Sequence, residues 1–175
     1  GLEPLAGLEA EGFKIKTGTA CGIPTLATLG KPLNDSQNTS LGSAFGSLAL
    51  LEALGFGFLH PLSPHLPDSL PETWPILDVQ ESPYCSIRGF QIHTMHPPEL
   101  AEMLNGWGAS GPDDRAGFEN RLPEWDNVLL WLLANRQNYV HWVLLWAEEW
   151  AEFADSSERQ RRLQELVRRA HRFGV

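Results

Sequence analysis

The chain holds 175 residues, 42% of them apolar, with a net charge of −9. That is enough for a real core and the wrong sign for a general affinity toward nucleic acid or anionic lipid. No apolar run reaches the roughly 20 residues of a membrane-spanning helix, and the first residues lack the basic, apolar, small-residue order of a signal peptide; neither a nucleic-acid nor a membrane partner is expected, and no compartment is assigned.

In chain order, Glu11 to Lys16 alternates apolar and polar residues with period two, which predicts a half-exposed strand with Phe13 and Ile15 facing inward. Thr25 to Leu29 predicts a further strand, and Lys31 to Ser40 has the composition of a surface loop. From Leu41 to Leu54 the residues Leu41, Ala44, Phe45, Leu48, Leu51 and Leu54 recur at three- and four-residue steps, and Gly55 follows where helices commonly stop. Phe56 to Leu59 reads as a short strand ended by Pro61, and the prolines through Pro75 exclude helix and central sheet. A domain boundary is expected near residue 82.

Beyond it, Ile87 to Met95 is strand-like, and glycines 106, 108, 111 and 117 predict a long surface loop. Pro123 is expected to begin a helix over roughly 124–136 with Trp125, Val128, Leu129 and Leu132 on one face. Asn138 to Trp146 then reads as a buried strand carrying two polar side chains, Asn138 and His141, each of which must find a partner or serve a purpose. Ser156 and Ser157 precede a helix running to about Phe173. Its arginines alternate with glutamates, the pattern of a solvated face. Cys21 and Cys85 show no metal or redox spacing and are expected as buried thiols.

Strand, helix, strand, helix is the order of parallel strands joined by crossover helices. The expected fold class is therefore α/β: a small α+β domain over 1–82, then the first two βα units of a TIM-like (β/α) barrel over 83–175. A complete barrel needs about 250 residues. The pattern opens mid-way at Gly1 and ends where a further strand would start, so the chain reads as a fragment whose open barrel edge would favour self-association.

Three stretches carry a resemblance. Gly42-Ser43-Ala44-Phe45-Gly46 with Leu50-Leu51-Glu52-Ala53-Leu54-Gly55 and His60-Pro61 resembles the end of the α/β domain preceding the barrel in family 20 β-N-acetylhexosaminidases, a domain shared by family 67 α-glucuronidases. Ile87-Arg88-Gly89-Phe90 is similar to the start of their first barrel strand, and Asn138-Tyr139-Val140-His141-Trp142 to the Asn-x-x-His-Trp of their second. Where hexosaminidases continue with a second histidine and an acid, this chain has Val143, Leu144, Leu145 and Trp146.

The resemblance implies a glycoside hydrolase acting on a carbohydrate substrate without a cofactor, with its catalytic acids on a later strand beyond Val175. It implies that Arg88, whose planar fork suits paired hydroxyls, holds the sugar with His141. An ion pair tying the linker to the barrel is the alternative for Arg88. His93 and His96 fall near the end of their strand, where barrel enzymes gather active-site groups; three apart on a strand, they do not share a metal ion unless it bends. Asn138 completes the expected binding set together with Trp146, which serves as either core or stacking platform. Glu148 and Glu149 read as a solvated loop. The rival to a glycosidase is a non-catalytic carbohydrate-binding or interaction module.

Overall fold

The computed structural model describes residues 7–31, 41–93, 114–143 and 157–175. The fold mixes α and β structure in two compact units, one of residues 1–86 with Leu133–Arg136, the other of 87–132 with 137–175.

In the first unit, β1 (Phe13–Ala20) pairs antiparallel with β2 (Ile23–Gly30) and with β3 (Asp78–Glu81), giving the order β2-β1-β3. Both strands run longer than their sequence pattern because a two-residue turn joins them. Cys21 and Gly22 each adopt positive φ, 52° and 80°, as a tight hairpin turn of matching twist requires. Cys21 is therefore exposed at the tip instead of buried, and Cys85, just before the second unit, is exposed as well. Phe13 and Ile15 turn to the covered face, each 2% exposed.

That face packs against α1 (Leu41–Ala53), whose Phe45, Leu48 and Ala49 are buried. Helix and sheet touch at glycines. A Cβ on Gly30 would lie 1.9 Å from the Ser43 nitrogen, and one on Gly46 would lie 2.3 Å from Thr28 Oγ1. The helix stops at Gly55, with φ 100°, as its sequence predicts. Phe56 to Leu59 is not a strand: Gly57 makes a single bridge to His65, Leu59 is exposed, and among the described residues no strand supplies a ladder for the proline-bounded stretch.

The same unit includes the turn after the long helix of the chain. Arg136, at φ 56°, sets Nη1 2.8 Å from Glu52 Oε2 and Nε 3.7 Å from Glu81 Oε2, with its guanidinium 5.9 Å from the Phe13 ring centroid. Asn135 Nδ2 donates to the Phe58 carbonyl at 3.1 Å.

In the second unit, β4 (Gly89–His93) and β5 (Tyr139–Val143) form a parallel pair, and α2 (Arg115–Ala134) lies between them in sequence. Helix α2 starts about nine residues before the predicted site. Asp114 caps it, accepting from the Gly117 N–H at 2.8 Å, so Gly117 is helical and Pro123 sits inside the helix instead of opening it. Burial of Phe118 and Leu122 offsets the hydrogen bond that Pro123 cannot donate. Trp125, Val128, Leu129 and Leu132 are buried on one face, as their spacing predicts.

Against α2 lies α3 (Ser157–Phe173), joined to it by the Trp125 Nε1 donation to the Leu166 carbonyl at 3.0 Å and by the ion pair of Arg169 with Asp126. One arginine is not solvated at all. Arg162 is 1% exposed, with its guanidinium 5.0 Å from the Phe118 ring centroid and its Nε 3.2 Å from Glu158. An aromatic face and a carboxylate together make burial of that charge tolerable.

Candidate functional site

The parallel pair brings together the two motifs that sequence reading singles out. Its register sets Gly89 beside Tyr139, Gln91 beside His141 and His93 beside Val143. Close approach at the start of the pair demands glycine: a Cβ on Gly89 would lie 1.8 Å from the Tyr139 carbonyl oxygen. In an Arg-Gly pair read from sequence, the glycine thus has its own reason to be there.

Arg88 and Asn138 each stand one residue before their strand and are joined through the main chain. The Arg88 N–H donates to Asn138 Oδ1 at 2.9 Å, and the Asn138 N–H donates to the Arg88 carbonyl at 2.8 Å. Both residues are half-buried. The Asn138 side chain therefore meets a backbone group, which answers how a polar residue is tolerated at the edge of an apolar run.

Strand alternation divides the pair into two faces. Phe90 and Val140 share one, and there the Phe90 ring stacks on Trp131 of α2 with centroids 5.1 Å apart. Gly89, Gln91, Tyr139 and His141 share the other, and all four are exposed. The Tyr139 and His141 rings lie 6.2 Å apart, tilted by 39°. Position 93 ends β4 on that same register, while His96 and Trp146 lie outside the described residues, as do Glu148 and Glu149. Of the expected site residues, the structure thus sets Arg88 and Asn138 together at the N-terminal edge of the pair, His141 mid-strand and His93 at the C-terminal edge.

Gln91 and Tyr139 are missing from the sequence-based set. Their signal is positional: each shares a face with His141, which becomes visible when the strand register is known. Among the described residues no group of three histidine, cysteine or acidic side chains is placed to hold a metal ion. A groove of about 250 Å³ in the first unit, lined by Lys16, Thr17, Gly18, Thr19, Thr25 and Ala27 among others, contains none of the expected site residues. Its Thr17 hydroxyl is already engaged, donating to the Pro75 carbonyl at 2.6 Å and accepting from the Leu77 N–H at 2.8 Å.

Comparison with protein families, curated proteins and solved structures finds no match to this chain.

Proposed function

We propose that the chain is part of a glycoside hydrolase, contributing an accessory α+β domain and the first βα units of a TIM-like barrel that carries one wall of a sugar-binding cleft. The observation that carries this reading is the parallel register of β4 and β5. Two motifs about 50 residues apart, Arg88-Gly89-Phe90 and Asn138-Tyr139-Val140-His141-Trp142, fall on neighbouring strands, as consecutive barrel strands require.

On this reading the glycosidic bond is cleaved by a pair of carboxyl groups, one donating a proton to the leaving oxygen and the other acting as nucleophile or as base toward water. Both belong to further barrel strands. The present residues bind: Arg88 and His141 hold sugar hydroxyls, His93 ends β4 at its C-terminal edge, where a barrel opens to substrate, and His96 and Trp146 complete the proposed binding set. No cofactor enters the reaction.

The second reading, a carbohydrate-binding or interaction module without catalysis, draws on the Val143-Leu144-Leu145-Trp146 segment that replaces the expected histidine and acid. An assay of the full-length protein on a panel of chromogenic glycosides separates the two. The glycosidase reading expects release from at least one sugar and a loss of about tenfold or more in kcat/KM for Arg88→Ala, the worth of one charge-assisted contact. Release from no sugar would sink it.

A further inference from the structure

The antiparallel sheet ends in two edges of different kind. β3 is four residues long and carries Asp78 and Glu81, and short, charged edges are how sheets ordinarily avoid pairing with another chain. β2 is eight residues long, Ile23-Pro24-Thr25-Leu26-Ala27-Thr28-Leu29-Gly30, and carries no charge. We propose that β2 is the surface on which a second copy of this chain docks, pairing antiparallel with its own counterpart across a two-fold axis. The surface lies in the first unit and is independent of the glycosidase reading.

Hydrogen-bond parity decides which backbone groups β2 offers. The two-residue turn makes Ala20 and Ile23 a bonded pair, so Thr25, Ala27 and Leu29 also turn their backbone groups toward β1. Two bonds outside the ladder obey the same parity: the Lys31 N–H donates to the Gly12 carbonyl, and the Thr17 N–H donates away from β2, to the Leu77 carbonyl. The N–H groups of Leu26 and Thr28 and the carbonyls of Pro24, Leu26 and Thr28 therefore point away from β1, and among the described residues no strand pairs with them. Pro24 suits this side, because the donor it lacks is one the hairpin does not use. Setting Leu26 against Thr28 of the second copy uses these groups in reciprocal pairs and brings Ala27 opposite Ala27 at the axis, where a small side chain permits the closest approach.

Charge and space both permit this pairing. Lys16 stands beside Ala27 on β1, so the Lys16 residues of two copies would be three strand spacings apart, about 14 Å, beyond the ~8 Å screening length at physiological salt. Helix α1 runs over the gap between β1 and β2, since a Cβ on Gly46 would touch both Thr28 and Phe13. Across the axis the two copies of α1 would share one face of the joined sheet, about 10 Å apart, an ordinary helix-packing distance. From Leu41 to Leu51 that helix has no charged residue, so no buried charge results from bringing the pair together.

Sedimentation equilibrium of the full chain tests the proposal, with amide exchange at Leu26 and Thr28 followed by NMR. The mass should rise toward twice that of one chain as concentration increases, and exchange at both amides should slow in step. Ala27→Glu sets two like charges face to face at the axis and should raise the dimer dissociation constant by about tenfold or more. Beside Lys16 the new carboxylate has an opposite charge within its own chain, so the monomer should keep its fold. Ala27→Lys should weaken the dimer in the same way, and mixing the two variants should restore it. Gln164→Glu, on the exposed side of α3, adds the same charge elsewhere and should leave the mass unchanged. A monomer at every concentration would overturn the proposal, whether Leu26 and Thr28 exchange freely or are protected by another segment of the chain. A dimer that survives Ala27→Glu would assign the contact to another surface and overturn it too, as would a mixture of the two charge variants that stays monomeric.

Discussion

The two sheets solve the same problem by different means. The antiparallel β2-β1-β3 sheet is built locally: a two-residue turn at Cys21-Gly22 aligns β1 with β2, and one face is sealed by α1 through Phe13, Ile15 and Phe45. Its other face can meet water, so Lys16 stays exposed and reaches Asp78 of the neighbouring strand at 3.7 Å. The parallel β4–β5 pair has no local turn to align it, since its strands are separated by a whole helix. Register there is set by backbone contacts, the glycine approach at Gly89 and the double hydrogen bond between Arg88 and Asn138. A hydrophobic seam holds the first sheet in place, and a few exact contacts at one edge hold the second.

Removing the seam should have the largest effect. Phe45 is 1% exposed between α1 and the sheet, and Phe45→Ala is expected to cost about 3–5 kcal/mol. Denaturant unfolding would measure the loss, and amide exchange should show it first in β1 to β3. Next comes the close approach in the parallel pair. Gly89→Ala forces a methyl against the Tyr139 carbonyl and is expected to cost about 1–3 kcal/mol by overpacking. Hydrogen exchange should then rise in β4 and β5 with β1 to β3 still protected. Equal loss of protection in both sheets would break the contrast drawn between them.

The contrast also explains what could be read from the sequence. Helix α1 and the start of β1 follow hydrophobic periodicity, and both are legible because they bury a continuous face within their own length. Strand β3 is not legible. Asp78-Val79-Gln80-Glu81 has three polar residues of four and is a strand only because β1 offers it an edge. The first half of α2 is hidden by Gly117 and Pro123, which ordinarily interrupt helices. Burial of Phe118 and the cap at Asp114 outweigh them, and that depends on α3, which arrives about 40 residues later. In the candidate site, the motif residues could be named but not their register. The Asn138 side chain, expected as a ligand from sequence, accepts from the Arg88 main chain, a contact that no sequence pattern displays, and Gln91 has no mark of its own until it is set beside His141.

Asn138 gives a finer test of how the parallel pair is aligned. Its side chain accepts from the Arg88 N–H, so Asn138→Ala leaves a half-buried donor without that partner and should cost about 1–2 kcal/mol. Asn138→Asp keeps the acceptor and should recover most of the loss in a denaturant titration. Failure of the aspartate to rescue would mean that the side chain matters for something other than this bond.

The smallest expected effect lies on α3 and depends on pH. Hydrogen bonding from Arg161, opposed by desolvation and reinforced by Arg162, holds the Glu158 carboxyl down to about 2 from its ordinary 4.5. Arg168 and then Arg169 do the same for Glu165, which also sits near 2. Because the folded values are depressed, the stabilisation from these pairs is fully present above about pH 4.5 and is lost as pH falls toward 2. Glu158→Gln should therefore cost a few tenths to about 1 kcal/mol at neutral pH, in the range of partly exposed helical ion pairs. As pH falls toward 2 and below, the variant and the parent should converge, because the parent glutamate takes up its proton over that range. Raising the salt concentration at neutral pH should shrink the difference as well, since partly exposed pairs are screened. A gap that persists at low pH would assign the loss to packing around Arg162 and Phe118 instead of to charge.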